Sequence, residues 1–398
     1  MGYYNMHVSE SEVMWCFNSM PHVESSPQRL QSLDLLRLGL CLLVMVTHAR
    51  RLFTIDVPAW LTKGPLDGKA GVVLFFVLSG HVLSRSLART PLSWNGYCHY
   101  MMRRAFRLFP AYWVALALTF VILVWLRSDD FSTLSAGVPD FIGRNDAAWG
   151  QWFLHLFLVI PGMQSDFALP TVWSLMTEAK VSLLIFPVLG WTLLRLSLWQ
   201  ALGVTALLAA GSGLLHTHVV GTAAYLGIFA IGTLLTRVPD RWWQSLASWG
   251  WWCILLVGIM VYSCMSLRYL LPSVWQGYYL CAIGASAIIA CVSKWPAMSK
   301  RMHAMNALVA TDISYGIYLL HYPVLLAFLH LGDQLGFDAT PRTLLMFAAM
   351  AATIVLAWLM AHTVEIPMAR LGRQLSPTAL LIPERLPGQR GNEVVASR

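Results

Sequence analysis

The sequence predicts an all-α polytopic membrane protein: a bundle of about ten transmembrane helices, with both termini in the cytoplasm. Three observations carry that expectation. Hydrophobic residues make up 57% of the 398 and charged residues only 12%, roughly half the charged share of a water-soluble domain. Apolar runs of about 20 residues, long enough to cross the hydrocarbon of a bilayer, recur along the chain. Basic residues gather in alternate loops, as the positive-inside bias requires. The short alternating segments of a membrane β-barrel are absent.

Taken in order, the apolar runs lie near 33–53, 70–88, 109–126, 172–194, 199–215, 219–236, 249–267, 274–292, 306–330 and 342–365. A further piece, 149–162, is too short to cross and is expected to lie at the interface or to re-enter. Arg85, Arg89, Arg103, Arg104 and Arg107 follow the second run, and Arg195, Arg237, Arg241, Lys294, Lys300 and Arg301 fall in later loops on the same side. The intervening segment 127–171 is acidic, with Asp129, Asp130, Asp140, Asp146 and Asp166. This pattern makes the net charge of +8 a topology signal and not a nucleic-acid footprint. The expected organisation is a polar N-terminal tail (1–30) without signal-peptide character, a membrane domain (31–371) and a basic C-terminal tail (372–398). The seven cysteines are scattered, without a CxxC pair. His216 and His218 have no acidic or cysteine company, so no metal site is expected.

Ionisable side chains inside apolar helices cost free energy, about 2.5–3.5 kcal/mol for an arginine at mid-span, so each needs a reason. In the first run Arg37 and His48 stand eleven positions apart. That is close to three helical turns, which puts them on one face roughly 16 Å apart along the axis. Asp34 beside Arg37 reads as an end cap. In the fourth run Ser174 and Glu178 share a face, and Glu178 is expected about two turns in from the outer end, level with His48. A carboxylate there calls for a partner, either the His48 imidazole or Lys180. In the ninth run Ser314, Tyr318 and His321 form one polar stripe, which serves either a site or interhelical hydrogen bonding. Arg104 and Arg107, three apart ahead of the third run, are either simple inner-rim anchors or a guanidinium clamp for phosphates. Ser79-Gly80 in the second run allows close backbone approach, and His81 follows directly. His362 and Glu365 are expected to pair at the end of the tenth run.

These segments, in this order, resemble the acyltransferase-3 family of integral-membrane acyltransferases over about residues 30–375. Arg37 and His48 match its Arg-x10-His pattern, and FFVLSG (75–80) looks like its second-span motif. Arg104 and Arg107 supply its Arg-x-x-Arg, and WSLMTE places its glutamate at Glu178. ISYGIYLLHYPV is similar to its late Ser-Tyr-x-x-Tyr-Leu-x-His motif, and EIPMAR to its closing Glu-x-Pro. Two stretches depart from it: SGH replaces the usual SGF, and AKVSLL replaces an aromatic sequence after the glutamate. Both are expected to reshape the acceptor or acyl pocket.

The resemblance implies a multi-pass O-acyltransferase of the cell (inner) membrane. It would move an acyl group, acetyl first, from acyl-coenzyme A to a hydroxyl of a saccharide such as a surface or exported polysaccharide or its lipid-linked precursor. It also implies that His48 is catalytic. On chemistry, His48 is the expected general base and Glu178 its orienting carboxylate. Arg37, Arg104, Arg107, Ser79, Ser174, Tyr318 and His321 are expected to bind the donor and its acyl group. Donor, acceptor and the lipid bilayer are the expected partners, with no nucleic acid and no permanently bound cofactor. The competing class is a multi-span transporter of a small anionic or sugar-like substrate. Such folds commonly pair broken spans across two halves, and no such repeat is visible here.

Overall fold

A computed structural model describes residues 31–127, 149–159, 171–212, 221–271, 273–308 and 311–376. Among them lies no strand, and eight helices are long and apolar enough to cross a membrane. With two shorter apolar helices, they are α1 (Gln31–Leu52), α2 (Gly68–Ala88), α3 (Trp94–Arg127), α4 (Val172–Arg195), α5 (Leu198–Ser212), α6 (Thr222–Arg237), α7 (Ser248–Arg268), α8 (Val274–Lys294), α9 (Ser314–Gln334) and α10 (Pro341–Gln374). The N-terminal tail, the C-terminal tail beyond 376, the acidic residues expected outside, and His216 and His218 lie outside the described residues.

Three helices differ from the apolar runs. Helix α3 begins at Trp94, so Arg103, Arg104 and Arg107 sit within a helix and not in a loop. Met101, Met102, Arg103, Arg104, Ala105, Arg107 and Leu108, just ahead of the apolar run, are good helix formers, which hydropathy alone does not register. Helix α9 starts only at Ser314, because 306–308 finish a separate helix, Pro296–Leu308, followed by a 3-10 turn. Helix α10 continues to Gln374, past the expected domain end at 371. The short piece near 149–162 contains a helix, Trp149–His155, laid against α3. There the Trp113 indole donates to the Leu156 carbonyl at 2.8 Å, and the Tyr112 hydroxyl meets His155 Nδ1 at 3.1 Å.

Two apolar clusters hold the bundle, and α1 belongs to both. Its residues Leu38, Cys41, Met45, Ala49 and Leu52, spaced by three and four, face α3, α9 and α10. Its Leu33, Leu40 and Val44 face the other way, toward α2, α6 and α8. Helix α4 is shared in the same manner, with Leu175, Ala179 and Leu183 in the first cluster and Val181, Phe186 and Trp191 in the second.

Helices α2 and α6 cross with their backbones nearly touching. A Cβ on Gly80 would fall 2.1 Å from the Phe229 carbonyl oxygen, and one on Gly232 would fall 2.1 Å from the Val77 oxygen. This is how small residues work between membrane helices, where packing replaces the hydrophobic drive. Ser84 bonds Thr233 across the same seam at 2.8 Å. The far end of α2 is pinned by Asp67, which caps the helix through Lys69 N at 2.8 Å and pairs with Arg268 at 3.2 Å.

The Gly80→Ala and Gly232→Ala variants should each lose about 1–3 kcal/mol by overpacking. Gly39→Ala, where a Cβ meets nothing within 4 Å, should stay within about 0.5 kcal/mol of the parent. Thermal unfolding in detergent compares the three.

Candidate active site

Two helices that build the site contain a π-helical turn, Lys180–Ile185 in α4 and Ala361–Glu365 in α10. Each is followed two residues later by a proline, Pro187 or Pro367. A proline cannot donate to the carbonyl four residues back and crowds it, and a widened turn relieves that clash. Pro187 has no N–H to offer the Leu183 carbonyl four residues back. Tyr97 of α3 donates its hydroxyl there at 3.3 Å, while Tyr100 donates to the neighbouring Ser182 carbonyl at 2.8 Å. The α3–α4 contact is therefore made at a defect in α4 that begins two residues after Glu178.

That contact places Arg104 against Glu178. The two form an ion pair, Arg104 Nε also donates to Ser182 Oγ at 3.3 Å, and Ser79 Oγ of α2 donates to the Glu178 carboxylate at 3.2 Å. Arg37 pairs with Asp34 at 3.0 Å. Both pairs line one cavity between the two apolar clusters, with an empty volume of about 930 Å³ including its open mouth. Arg107, Asp312, Ser314 and Glu365 complete its polar wall, and Val72, Phe75, Phe76 and Leu175 are among its apolar lining.

At the inner side of this cavity the Tyr318 hydroxyl bonds Ser174 Oγ and also donates to the Thr171 carbonyl at 3.2 Å. The Tyr318 ring lies 5.9 Å from the His321 ring, which lies 5.4 Å from that of His48. Tyr322 meets His48 edge-on at 5.3 Å. His48 itself does not line the cavity; it stands one layer of rings beyond Tyr318.

Of the nine expected site residues, Arg37, Ser79, Arg104, Arg107, Ser174, Glu178 and Tyr318 line this one cavity, and His48 and His321 adjoin it as a pair. Two expectations about partners are corrected. Glu178 is neither level with His48 nor bonded to it; Arg104 and Ser79 hold it, in the wall shared with Arg37 and Cys41. The reason is the depth of α4: its first turn is tied to Tyr318, a turn short of the histidine pair, so Glu178 lies farther still from His48. His362 and Glu365 also do not pair. His362 is exposed and bonds the Trp358 carbonyl at 2.8 Å, whereas the π turn swings Glu365 into the cavity, where its Oε1 has no hydrogen-bond partner. His81 faces α6, where Thr236 Oγ1 meets its Nδ1 at 2.9 Å, so it shapes a helix seam and not the cavity expected for it.

Sequence reasoning passed over Cys41, Asp312 and Glu365 as cavity residues, and left Asp34 as a cap. For Glu365 the signal was present: a carboxylate two residues before a proline in a helix that continues beyond it.

The fold and the cavity define a multi-pass membrane protein with a polar, arginine-rich cavity enclosed by apolar helices. A family model described as an acyltransferase domain matches residues 30–362, and the chain belongs to that acyltransferase-3 family. It is a membrane acyltransferase. Comparison with curated proteins finds no match, and comparison with solved structures finds none either.

The Arg104 and Glu178 side chains are only 13% and 22% exposed, so removing one charge strands the other in a poorly solvated wall. Glu178→Gln and Arg104→Met should each cost about 2–4 kcal/mol. The double variant should recover part of that loss, giving a coupling of at least about 1 kcal/mol in a double-mutant cycle read from unfolding midpoints.

Proposed function

We propose that this acyltransferase moves an acyl group, acetyl first, from acyl-coenzyme A to a hydroxyl of a saccharide, such as a surface or exported polysaccharide or its lipid-linked precursor, in the cell membrane. The observation that supports it most is the convergence of Arg37, Arg104 and Arg107 on one cavity, with His48 three helical turns beyond Arg37 on the same helix. Guanidinium groups suit the phosphates of the donor, which bind them in a bidentate fork. The apolar lining around Phe75 and Leu175 suits the pantetheine arm and the acyl group. That arm spans about 15–20 Å when extended, enough to lead from the arginines to the histidine pair. The arginine end would face the cytoplasm, where the donor resides.

The chemistry then follows from a base beside a thioester. His48 takes the proton of the acceptor hydroxyl, and the oxygen attacks the thioester carbonyl carbon. The tetrahedral intermediate collapses with cleavage of the carbon–sulfur bond, and the imidazolium returns the proton to the departing thiolate. Glu178 holds Arg104 at the chamber wall and takes no proton in this scheme. Arg104 and Arg37 meet the donor already paired with carboxylates, so donor phosphates compete for guanidinium groups that are held in place.

Labelled acetyl-coenzyme A, incubated with the purified protein and fractionated cell glycans, tests the reading. Label should pass to a glycan hydroxyl, and His48→Ala should lower that rate by about 10²–10⁴-fold without loss of fold. Label that never leaves coenzyme A, whichever acceptor is offered, would favour the transport of an anionic or sugar-like solute instead. Arg107→Ala should raise the donor KM about tenfold or more while kcat changes little, the signature of a lost ground-state contact.

A further inference from the structure

The removal of Glu178 from the neighbourhood of His48 leaves the proposed base without an orienting group. A histidine base needs one, because only one ring nitrogen can be the acceptor and the other must carry the proton. The hydrogen bond made by that second nitrogen decides which tautomer is present.

The surroundings of His48 contain one group suited to the task. His321 on α9 is fully buried. Its Nδ1 lies 3.0 Å from the Ile317 carbonyl of the preceding turn. A carbonyl only accepts, so Nδ1 carries the proton and Nε2 bears a lone pair. That Nε2 is buried and without a hydrogen-bond partner. A buried acceptor left without a donor is costly, and such a group in a native interior calls for an explanation.

Two rings pack on His321, those of Tyr318 and His48. The Tyr318 hydroxyl is committed to Ser174 and to the Thr171 carbonyl. Of the two rings described against His321, His48, with its ring centre 5.4 Å away, is the one with a nitrogen free to donate. A half-turn of an imidazole about its terminal torsion exchanges carbon and nitrogen positions without moving the ring, and that torsion is soft. Tyr322 packs edge-on against the same His48 ring at 5.3 Å.

We infer that His321 is the positioning residue of His48: its Nε2 accepts the N–H of the His48 ring and so fixes the other His48 nitrogen as the proton acceptor. The inference rests on the acyl-transfer reading for its purpose, but the tautomer it dictates exists whether or not transfer is observed. Neutral His321 takes the place that a carboxylate holds in the usual triad, and it suits an apolar setting in which a carboxylate would itself demand a counter-charge. Pro323, two residues on inside α9, has no N–H to offer the Leu319 carbonyl.

The decisive variants differ in which imidazole nitrogen they imitate. His321→Gln keeps an acceptor near the ε position, whereas His321→Asn reaches only the δ position. The full-length protein, labelled with ¹⁵N-histidine in detergent micelles, reports the tautomer through the separation of its ring-nitrogen shifts. The His48 signals among the twelve histidines are identified by their loss in His48→Gln. One tautomer is expected for His48 in the parent and in His321→Gln, and averaged shifts in His321→Asn. Averaged shifts already in the parent, or parent-like shifts in a folded His321→Asn, would overturn the inference. In the transfer assay kcat should fall at least about tenfold in His321→Asn and recover in His321→Gln, with the donor KM constant throughout. An equal rise of KM in both variants would instead make His321 a binding residue and refute the positioning role. A parent that shows a single, His321-dependent tautomer yet transfers no label would sink the acyl-transfer reading and leave the positioning intact.

Discussion

The ion pair between Arg104 and Glu178 is the constraint on which the rest of the chamber depends. A guanidinium and a carboxylate placed among apolar helices have no bulk water to fall back on, so each must find the other or pay several kcal/mol. Their meeting aligns α3 with α4, and the Ser79 hydrogen bond brings α2 to the same point. The π turn that begins at Lys180, two residues after Glu178, gives Tyr97 and Tyr100 their backbone acceptors, which locks the α3–α4 register. With three helices held this way, α1 and α9 close the opposite wall and the cavity follows as the space left between them.

The chamber is organised by depth. The arginines and carboxylates occupy one level, the Ser174–Tyr318 hydroxyl pair the next, and the His48–His321 pair the level beyond. On the proposed acyl-transfer reading, this layering would separate the charged groups that hold donor phosphates from the neutral groups that handle a proton. The intervening hydroxyl layer sets the cavity's Arg37 and Arg104 apart from the histidine pair. The same layering explains the pairing of Arg37 and Arg104 with carboxylates: without counter-charges three arginines on one small wall would repel one another.

Two helices are shared between the apolar clusters, and their sequences show it. Helix α1 alternates its large residues between two faces, and α4 does the same across its π turn. A helix committed to one cluster needs only one apolar stripe against protein and turns the other to lipid, as α10 does. The cavity opens where the shared helices turn polar side chains toward each other, so the charges that looked costly in single spans face one another in the bundle.

Composition and charge periodicity determined the fold class, the number and approximate place of the apolar helices, and the helical face shared by Arg37 and His48, because these depend on local spacing alone. The order of motifs was enough to mark seven residues that line one cavity and two that adjoin it. The pairings were not legible. Glu178 was placed level with His48 by counting turns from the start of an apolar run, a count that presumes every span begins at the membrane boundary. Only the bundle shows that the first turn of α4 is tied to Tyr318, which puts Glu178 with Arg104 and leaves His48 to His321. Likewise His362 and Glu365 sit at helical spacing, and a π turn that tertiary packing tolerates separates them. The sequence on its own sets which side chains must find partners inside the membrane; which partner each one finds is decided by relative depth and by helix defects, and those exist only once the helices are packed.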